Sequence, residues 1–285
     1  MLLRSPLASS VRAAMLVLAL SGAAAAKVET RVVDYQAGGA ALQGFLAWND
    51  AANGRRPGVL VIHEWWGHNE HARRQAERLA EAGYVAFALD MFGKGRVTTH
   101  PADAKELVAE VNRDPATARA RFDAALALLR ADPHVDPAHV AVVGYCFGGT
   151  TALNMALAGA DVGAVVAIHA GLQLASPEPP VPVKARVLIL TGGADPMVTP
   201  ERVQAAEKQL AAAGASVRVV TYPDAKHGFT NPDADRAGLP SLGYDADADR
   251  ESFAEMLAFL KQALGSRPPA RHLAASRTNP ERGDP

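Results

Sequence analysis

The sequence has little cysteine, little net charge and no long apolar segment, and each absence excludes a class of protein. One cysteine, Cys146, among 285 residues rules out an internal disulfide framework. A net charge of −1 predicts no basic surface for nucleic acid. The apolar stretch at residues 13–20 is too short to span a bilayer stably. No Walker-type glycine loop and no Cys/His cluster with metal-ligand spacing is present, so we expect neither cofactor nor metal.

Hydrophobic residues make up 49% of the chain, enough to bury one large core. Two alternating segments, residues 28–35 and 42–48, predict an antiparallel β-hairpin. From residue 58 onward, continuous apolar runs alternate with helical patterns, which predicts a mostly parallel sheet covered by helices on both faces. We therefore expect one α/β domain over residues 27–265, with a mixed sheet edge at its N-terminal end.

Both ends of the chain differ in composition from this domain. Residues 1–26 combine the basic Arg4 and Arg12 with a short apolar stretch and an alanine-rich cleavage site, which is typical of a signal peptide. A buried N-terminal helix is the alternative. We expect a secreted or periplasmic protein without a stable membrane anchor. Residues 266–285 are rich in Pro, Arg and Ala without periodicity, which predicts a disordered tail.

The stretch at residues 140–149 organises the rest of the chain. A β-branched apolar run ends in a Gly-x-Cys-x-Gly-Gly turn, and a run of good helix formers follows it. This is the pattern of a nucleophile elbow with Cys146 at the reactive position. A side chain at Gly144 or Gly148 would collide with the neighbouring strand or helix. A lone cysteine is otherwise most often a small buried hydrophobe, and this alternative stays open.

An acid and a histidine follow the elbow in the order of the α/β-hydrolases. Asp195 and His227 each come a few residues after a predicted strand, and carboxyl ends of parallel strands share one sheet edge. Cys146 would attack a carbonyl as thiolate, His227 would carry its proton, and Asp195 would orient the imidazole. Alternatively, Asp195 is a turn former before Pro196, and His227 is a solvated loop residue.

Backbone amides are expected to bind the developing oxyanion in such a site. The candidates are the N–H of Phe147, directly after the nucleophile, and that of Trp65, in the loop after an apolar strand. Trp65 and Trp66 are either core aromatics or an apolar wall for substrate. His63 and His169 lie at strand ends, where a histidine is more often packed than catalytic.

Over residues 27–264 the chain resembles the dienelactone hydrolase family. The resemblance rests on His-Glu-x-x-Gly at residues 63–67, the cysteine elbow at 144–149, Gly-x-Asp at 193–195 and His-Gly-Phe at 227–229. It implies a single α/β-hydrolase domain without a large cap and without a cofactor. It also implies that the glutamate of the first motif contacts the nucleophile in the resting enzyme and is displaced when substrate arrives.

The chain departs from this family where substrate is expected to bind. Lactone-hydrolysing members are similar to one another in having two arginines that grip a substrate carboxylate. Lys94 or Arg96 is expected to replace the first, whereas the second position is Asn231. Trp66 and Phe229 are the further expected substrate contacts. Hydrolysis is therefore a firmer expectation than lactone specificity.

We expect a monomeric hydrolase that cleaves small-molecule carboxylic esters or lactones through Cys146, His227, Asp195 and Glu64. The alternative, from a different class, is an exported binding or redox-sensing protein that kept the fold and lost turnover. An acid-oriented histidine argues against a sensor, because a sensor thiol does not need an oriented base.

Overall fold

The structure is a computed structural model that describes residues 27–51 and 54–265. The predicted signal peptide at residues 1–26 and the predicted tail at 266–285 lie outside the described residues and stay predictions. Within the described part of the chain, no helix combines the length and the apolar character that a membrane crossing needs.

A single eight-stranded sheet forms the centre of the molecule, with strand order β1-β2-β4-β3-β5-β6-β7-β8. The first two strands pair antiparallel to each other, and β2 pairs antiparallel to β4, whereas all later pairs are parallel. The predicted mixed edge and mostly parallel sheet are thus confirmed. The strands are β1 Val28–Ala37, β2 Ala40–Asn49, β3 Arg56–Ile62, β4 Val85–Leu89, β5 Val135–Tyr145, β6 Ala164–Ile168, β7 Arg186–Gly192 and β8 Ser216–Tyr222.

In the described part of the chain, six α-helices cover both faces of this sheet. One face carries α2 to α5, and the other carries α1 and α6, each with its own layer of buried apolar side chains. Central strands such as β4 and β6 are buried along their whole length, as their continuous apolar runs predict. The helices are α1 Glu70–Glu81, α2 Pro101–Arg113, α3 Pro115–Ala131, α4 Phe147–Leu157, α5 Pro200–Ala212 and α6 Ala246–Gly265.

Strand β5 differs from the prediction by starting five residues earlier. Its first part contains polar and half-exposed residues and pairs with the start of β3, where the register shifts between Pro57 and Gly58. Hydrophobic periodicity marks only strand segments that bury a side, so it detects β5 from Val140 onward. The part of β5 that carries the elbow is the predicted part.

Candidate active site

Cys146 occupies the sharp turn between β5 and α4. Its backbone has φ 53° and ψ −114°, in the left-handed half of conformational space, where side chains other than glycine are strained. A Cβ on Gly144 would lie 2.1 Å from the carbonyl oxygen of Gly148, and a Cβ on Gly148 would lie 2.3 Å from that of Ile62. Both elbow glycines are therefore required by close backbone approach, as the sequence predicts.

The loops after β7 and β8 bring two further side chains to this turn. His227 Nε2 lies 3.1 Å from Cys146 Sγ, and His227 Nδ1 lies 2.7 Å from Asp195 Oδ2. The other carboxylate oxygen, Asp195 Oδ1, accepts a hydrogen bond of 2.8 Å from the backbone N–H of Met197. Asp195 is thus held at both oxygens, and His227 is buried between the carboxylate and the sulfur.

Burial and charge act in opposite directions on His227. Burial alone would lower its pKa, but the charge and hydrogen bond of Cys146 and the hydrogen bond of Asp195 outweigh it and raise the pKa to about 10. An imidazolium is therefore favoured at neutral pH when the sulfur beside it carries negative charge. The N-terminus of α4, which begins directly after Cys146, also favours an anion at this position.

The two amides expected at the oxyanion have different structural settings. Phe147 is the first residue of α4, so its N–H is one of those that a helix leaves without an intrahelical acceptor. Trp65 follows β3, and His63 fixes the preceding peptide group. The N–H of Met91 donates to His63 Nε2 at 3.1 Å, so His63 Nδ1 carries hydrogen and donates to the carbonyl of Glu64 at 2.6 Å. Because C=O and N–H point opposite ways in a trans peptide, the Trp65 N–H points away from His63.

The Glu64 carboxylate is held by Asn231, which corrects the expected contact between Glu64 and the thiol. Asn231 Nδ2 donates to Glu64 Oε2 at 2.6 Å, and Asn231 Oδ1 accepts from the N–H of Asp233 at 2.9 Å, which fixes the orientation of the amide. The thiol instead contacts His227. Burial raises the pKa of Glu64 to about 7, although the Asn231 bond and the charge of His227 oppose the shift.

A cleft of about 830 Å³ opens beside the thiol. Cys146, His227, Phe147 and Trp65 lie at one end of it. Its lining is mainly apolar, and it reaches along α4 to the chain segment at residues 171–177 that follows β6. A substrate carbonyl placed at the sulfur therefore has room for a large substituent on one side.

The expected carboxylate grips, Lys94 and Arg96, lie outside the described lining of this cleft. Lys94 Nζ pairs with Asp34 at 2.7 Å, and the Arg96 guanidinium makes two bonds to Glu110, at 2.6 and 2.7 Å. Each has a carboxylate partner on the surface, so nothing in this arrangement directs either charge to the thiol, and their role in substrate binding stays a prediction. The lysine and arginine side chains that do line the cleft are Lys105 and Arg119.

The two expected aromatic contacts are corrected. Phe229 is fully buried and packs against Tyr222 and His169, so it belongs to the core beneath the loop that carries His227. Trp66 is 8% exposed and packs in a small separate cluster, whereas its neighbour Trp65 lines the cleft. In the His-Gly-Phe motif, His227 therefore lies in the site and Phe229 in the core. Of the two tryptophans, Trp65 lies in the site and Trp66 in the core.

Three residues of the site escaped the sequence reasoning. Asn231 and Glu64 are 167 positions apart, so no local pattern links them. His63 was expected to be packed, and it is buried, but its two ring bonds orient the Glu64–Trp65 peptide. Lys105 lies on α2 and belongs to no recognisable sequence motif.

Among the described residues, no group of three or more His, Cys, Asp or Glu side chains is arranged to hold a metal ion.

Comparison with known proteins places this fold and site in one family. The dienelactone hydrolase family matches residues 42–264. A solved structure named m3DLH is 36% identical with a TM-score of 0.79, covering 83% of this chain and 99% of its own. A dienelactone hydrolase-like promiscuous phosphotriesterase from metagenomic libraries is 34% identical with a TM-score of 0.76, covering 84% and 99%.

A curated relative, Protein usf of Aquifex pyrophilus, is 27% identical over 224 residues, which is 76% of this chain and 94% of the relative. The family match covers well over half of the chain and contains the elbow, Asp195 and His227. The chain therefore belongs to the dienelactone hydrolase family, with an α/β-hydrolase fold, and is a hydrolase of the ester and lactone type.

Proposed function

We propose that the protein hydrolyses carboxylic esters or lactones through a Cys146 nucleophile, with His227 as base and acid and Asp195 as its orienting group. The observation that carries this proposal is the continuous hydrogen-bonded series Cys146 Sγ, His227 and Asp195, at 3.1 and 2.7 Å. These distances lie within the range that nucleophile and base need for proton transfer.

In the acylation step, the Cys146 thiolate attacks the carbonyl carbon and its electron pair moves onto the oxygen. The N–H groups of Phe147 and Trp65 are the proposed donors to this oxyanion. As the tetrahedral intermediate collapses, the C–O bond to the alcohol breaks, and His227 gives its proton to the departing oxygen. The products of this step are a thioester on Cys146 and a free alcohol, or an enzyme-linked ring-opened chain when the substrate is a lactone.

In the deacylation step, His227 takes a proton from water, and the resulting hydroxide attacks the thioester carbonyl. The C–S bond breaks, the carboxylic acid leaves, and Cys146 returns to the thiolate paired with the imidazolium of His227. Asp195 keeps Nδ1 of the imidazole protonated in both steps, so that Nε2 always faces the reacting atoms.

A neutral phosphotriester is a second candidate substrate, besides carboxylic esters and lactones. The favouring observation is the 34% identity to a solved protein that is named a promiscuous phosphotriesterase. In that reaction the Cys146 sulfur would attack phosphorus, the P–O bond to one alcohol would break with His227 protonating the departing oxygen, and the same amides would bind the phosphoryl oxygen. Water, deprotonated by His227, would then attack phosphorus and break the S–P bond, which releases a phosphodiester and restores Cys146. We place it second, because the ester and lactone type is the one that the family carries.

A redox-sensing or binding role without turnover is the competing proposal. A sensor thiol needs partial exposure, which Cys146 has, but it does not need an imidazole oriented by a carboxylate, which His227 and Asp195 provide. Treatment with peroxide distinguishes the two. A sensor forms a stable oxidised adduct that alters binding, whereas an enzyme loses turnover when Cys146 is oxidised.

We further propose export, on the composition of residues 1–26 alone. Expression of the full chain in a bacterium with a periplasm, followed by fractionation and N-terminal sequencing, tests it. We expect a mature chain that begins near Lys27 outside the cytoplasm. Recovery of the intact chain from the cytoplasmic fraction would contradict export without touching the proposed chemistry.

Replacement of the nucleophile tests the proposed reaction. Cys146→Ala is expected to lower kcat/KM for small aryl esters by at least about a thousandfold, because the alanine side chain cannot form the acyl intermediate. Circular dichroism and thermal unfolding should match the wild type, since alanine fits the same turn. Turnover by a folded Cys146→Ala protein at the wild-type rate would reject a cysteine mechanism.

A further inference from the structure

The cleft beside Cys146 follows one face of helix α4 from its first turn to its end. At about 1.5 Å per residue, the eleven residues of α4 give this face a length of about 16 Å. The lining positions recur at intervals of three and four, as expected for a single helix face. They are Phe147, Thr150, Thr151, Asn154, Met155 and Ala158.

Hydrogen bonds within the protein already occupy the polar side chains of this face. Thr151 Oγ1 donates to the carbonyl of Phe147 at 2.9 Å. Thr150 and Asn154 each accept a backbone N–H from the segment at residues 171–177, at 3.3 and 2.8 Å. Because these groups hold the segment against α4, the wall that they form presents mainly carbon to the cleft.

The other walls are also largely apolar. Leu174 comes from the segment at residues 171–177, and Val108 and Val111 come from α2. Arg119 lies near the end remote from Cys146, where its guanidinium donates to the carbonyl of Ala158 at 2.7 Å and to Asp123 at 2.7 Å. The charge of Arg119 therefore has partners within the protein at this end of the cleft.

We propose that this α4 groove, formed by the α4 face, residues 171–177 and the facing side chains of α2 and α3, binds a long uncharged hydrocarbon chain of the ester substrate. This inference rests on the proposed function, since it places the scissile carbonyl at Cys146. Burying each methylene of the substrate against an apolar wall lowers the free energy of the complex. When the same contact is kept in the transition state, this free energy raises kcat/KM. The cations that would select a charged group near the thiol, Lys94 and Arg96, pair elsewhere.

A chain-length series tests the groove. With p-nitrophenyl esters from acetate to palmitate, we expect kcat/KM to rise about twofold or more per added methylene and to level off near dodecanoate, whose chain fills a groove of about 16 Å. A profile that is flat or falls from acetate onward overturns the groove. Cys146-dependent hydrolysis of acetate would then persist, whereas failure of the proposed function would remove Cys146-dependent hydrolysis for every length.

A blocking variant locates the chain. Ala158→Trp fills the remote end of the groove from an exposed position, so we expect about a tenfold loss of kcat/KM for dodecanoate and less than a twofold change for acetate. Ala254→Trp, at an exposed position of α6 on the opposite face of the sheet, is the matched control and should change neither. If Ala158→Trp does not fold, Ala109→Trp on α2 gives the same test.

Lys105 makes it possible to test whether the groove binds a charged chain instead of an uncharged one. It lines the cleft from an exposed position of α2, and an anionic chain end is the ligand that it would favour. We expect esters with a terminal carboxylate to react more slowly than neutral esters of equal length. A preference of more than tenfold for the carboxylate, lost in Lys105→Met, overturns the assignment of an uncharged chain. Equal sensitivity of acetate and dodecanoate to Ala158→Trp overturns it as well.

Discussion

The two carboxylates at this site, Asp195 and Glu64, are both held by hydrogen bonds. The imidazole of His227 lies between a sulfur and a carboxylate, and Asp195 is tied to the Met197 N–H as well. Glu64 is the second carboxylate near His227, and it is fixed by the amide of Asn231. The Cys146 thiol therefore contacts His227, whereas Glu64 is bonded to Asn231.

The contact between Cys146 and His227 predicts that the reactivity of the thiol depends on this imidazole. The pKa of His227 is raised to about 10, because its contacts with Cys146 and Asp195 outweigh its burial, so the cationic imidazole is favoured beside the sulfur. His227→Asn removes that cation, so we expect alkylation of Cys146 by iodoacetamide at pH 6 to slow by about a hundredfold. Mass spectrometry follows the one cysteine of the chain without ambiguity.

His139→Asn is the control for that experiment, because His139 pairs with Asp136 on the surface. It should alkylate at the wild-type rate. Equal rates for wild type and His227→Asn would show that the imidazole does not activate the sulfur, and would count against the proposed mechanism.

Glu64 makes stability depend on pH. Its pKa is about 7 in the folded protein and near 4.5 when unperturbed, so the folded state binds an extra proton between these values. Stability therefore falls as pH rises from about 4.5 to about 7. Glu64→Gln does not lose stability in this way. The difference between its free energy of unfolding and that of the wild type should therefore shift in favour of the variant by roughly 3 kcal/mol between pH 4 and pH 8.

Urea unfolding at the two pH values measures this difference. Glu207→Gln, at an exposed position of α5, should show no pH-dependent advantage. A constant difference between Glu64→Gln and wild type at both pH values would mean that burial does not penalise the Glu64 carboxylate.

Helices and strands position the site through close backbone contacts. The turn from β5 into α4 brings Gly148 against the carbonyls of Ile62 and His63, so α4 starts directly above the end of β3. This contact places the first amide of α4 beside the loop that carries Trp65. The elbow glycines thus set the distance between the two proposed oxyanion donors.

Gly148→Ala is expected to destabilise the fold, because its new Cβ would lie 2.3 Å and 2.6 Å from two carbonyl oxygens. Backbone cannot move away as a side chain can, so the cost should reach or exceed the upper end of the roughly 1–3 kcal/mol typical of overpacking. Gly265→Ala at the end of α6 meets nothing within 4 Å and should change stability by less than about 0.5 kcal/mol. Equal stability of both variants in urea unfolding would contradict the close approach.

The elements most accurately predicted from sequence are those that bury a complete side. β4 and β6 are continuous apolar runs, and α3 begins at the proline that marks its first turn. The start of β5 and the 3₁₀-helix Ala234–Ala237 were not found, since polar pairing and short turns leave no hydrophobic period.

For the chain as a whole, sheet topology brings distant residues together. Residues 146, 195 and 227 follow β5, β7 and β8, and parallel strands deliver all three to one edge. That meeting could be predicted from order and strand ends. The ion pairs of Lys94 and Arg96 could not be predicted. Lys94 pairs with Asp34 and Arg96 pairs with Glu110, and no sequence pattern indicates which surface carboxylate a cation will contact.

Location of the acyl group on the protein tests the proposed reaction most directly. The enzyme is mixed with p-nitrophenyl butyrate, quenched in acid within the first turnovers, digested and analysed by mass spectrometry. We predict a butyryl group on Cys146, bound as a thioester that neutral hydroxylamine removes. A butyryl group on a different catalytic side chain, with Cys146 unmodified during full turnover, would contradict the cysteine mechanism.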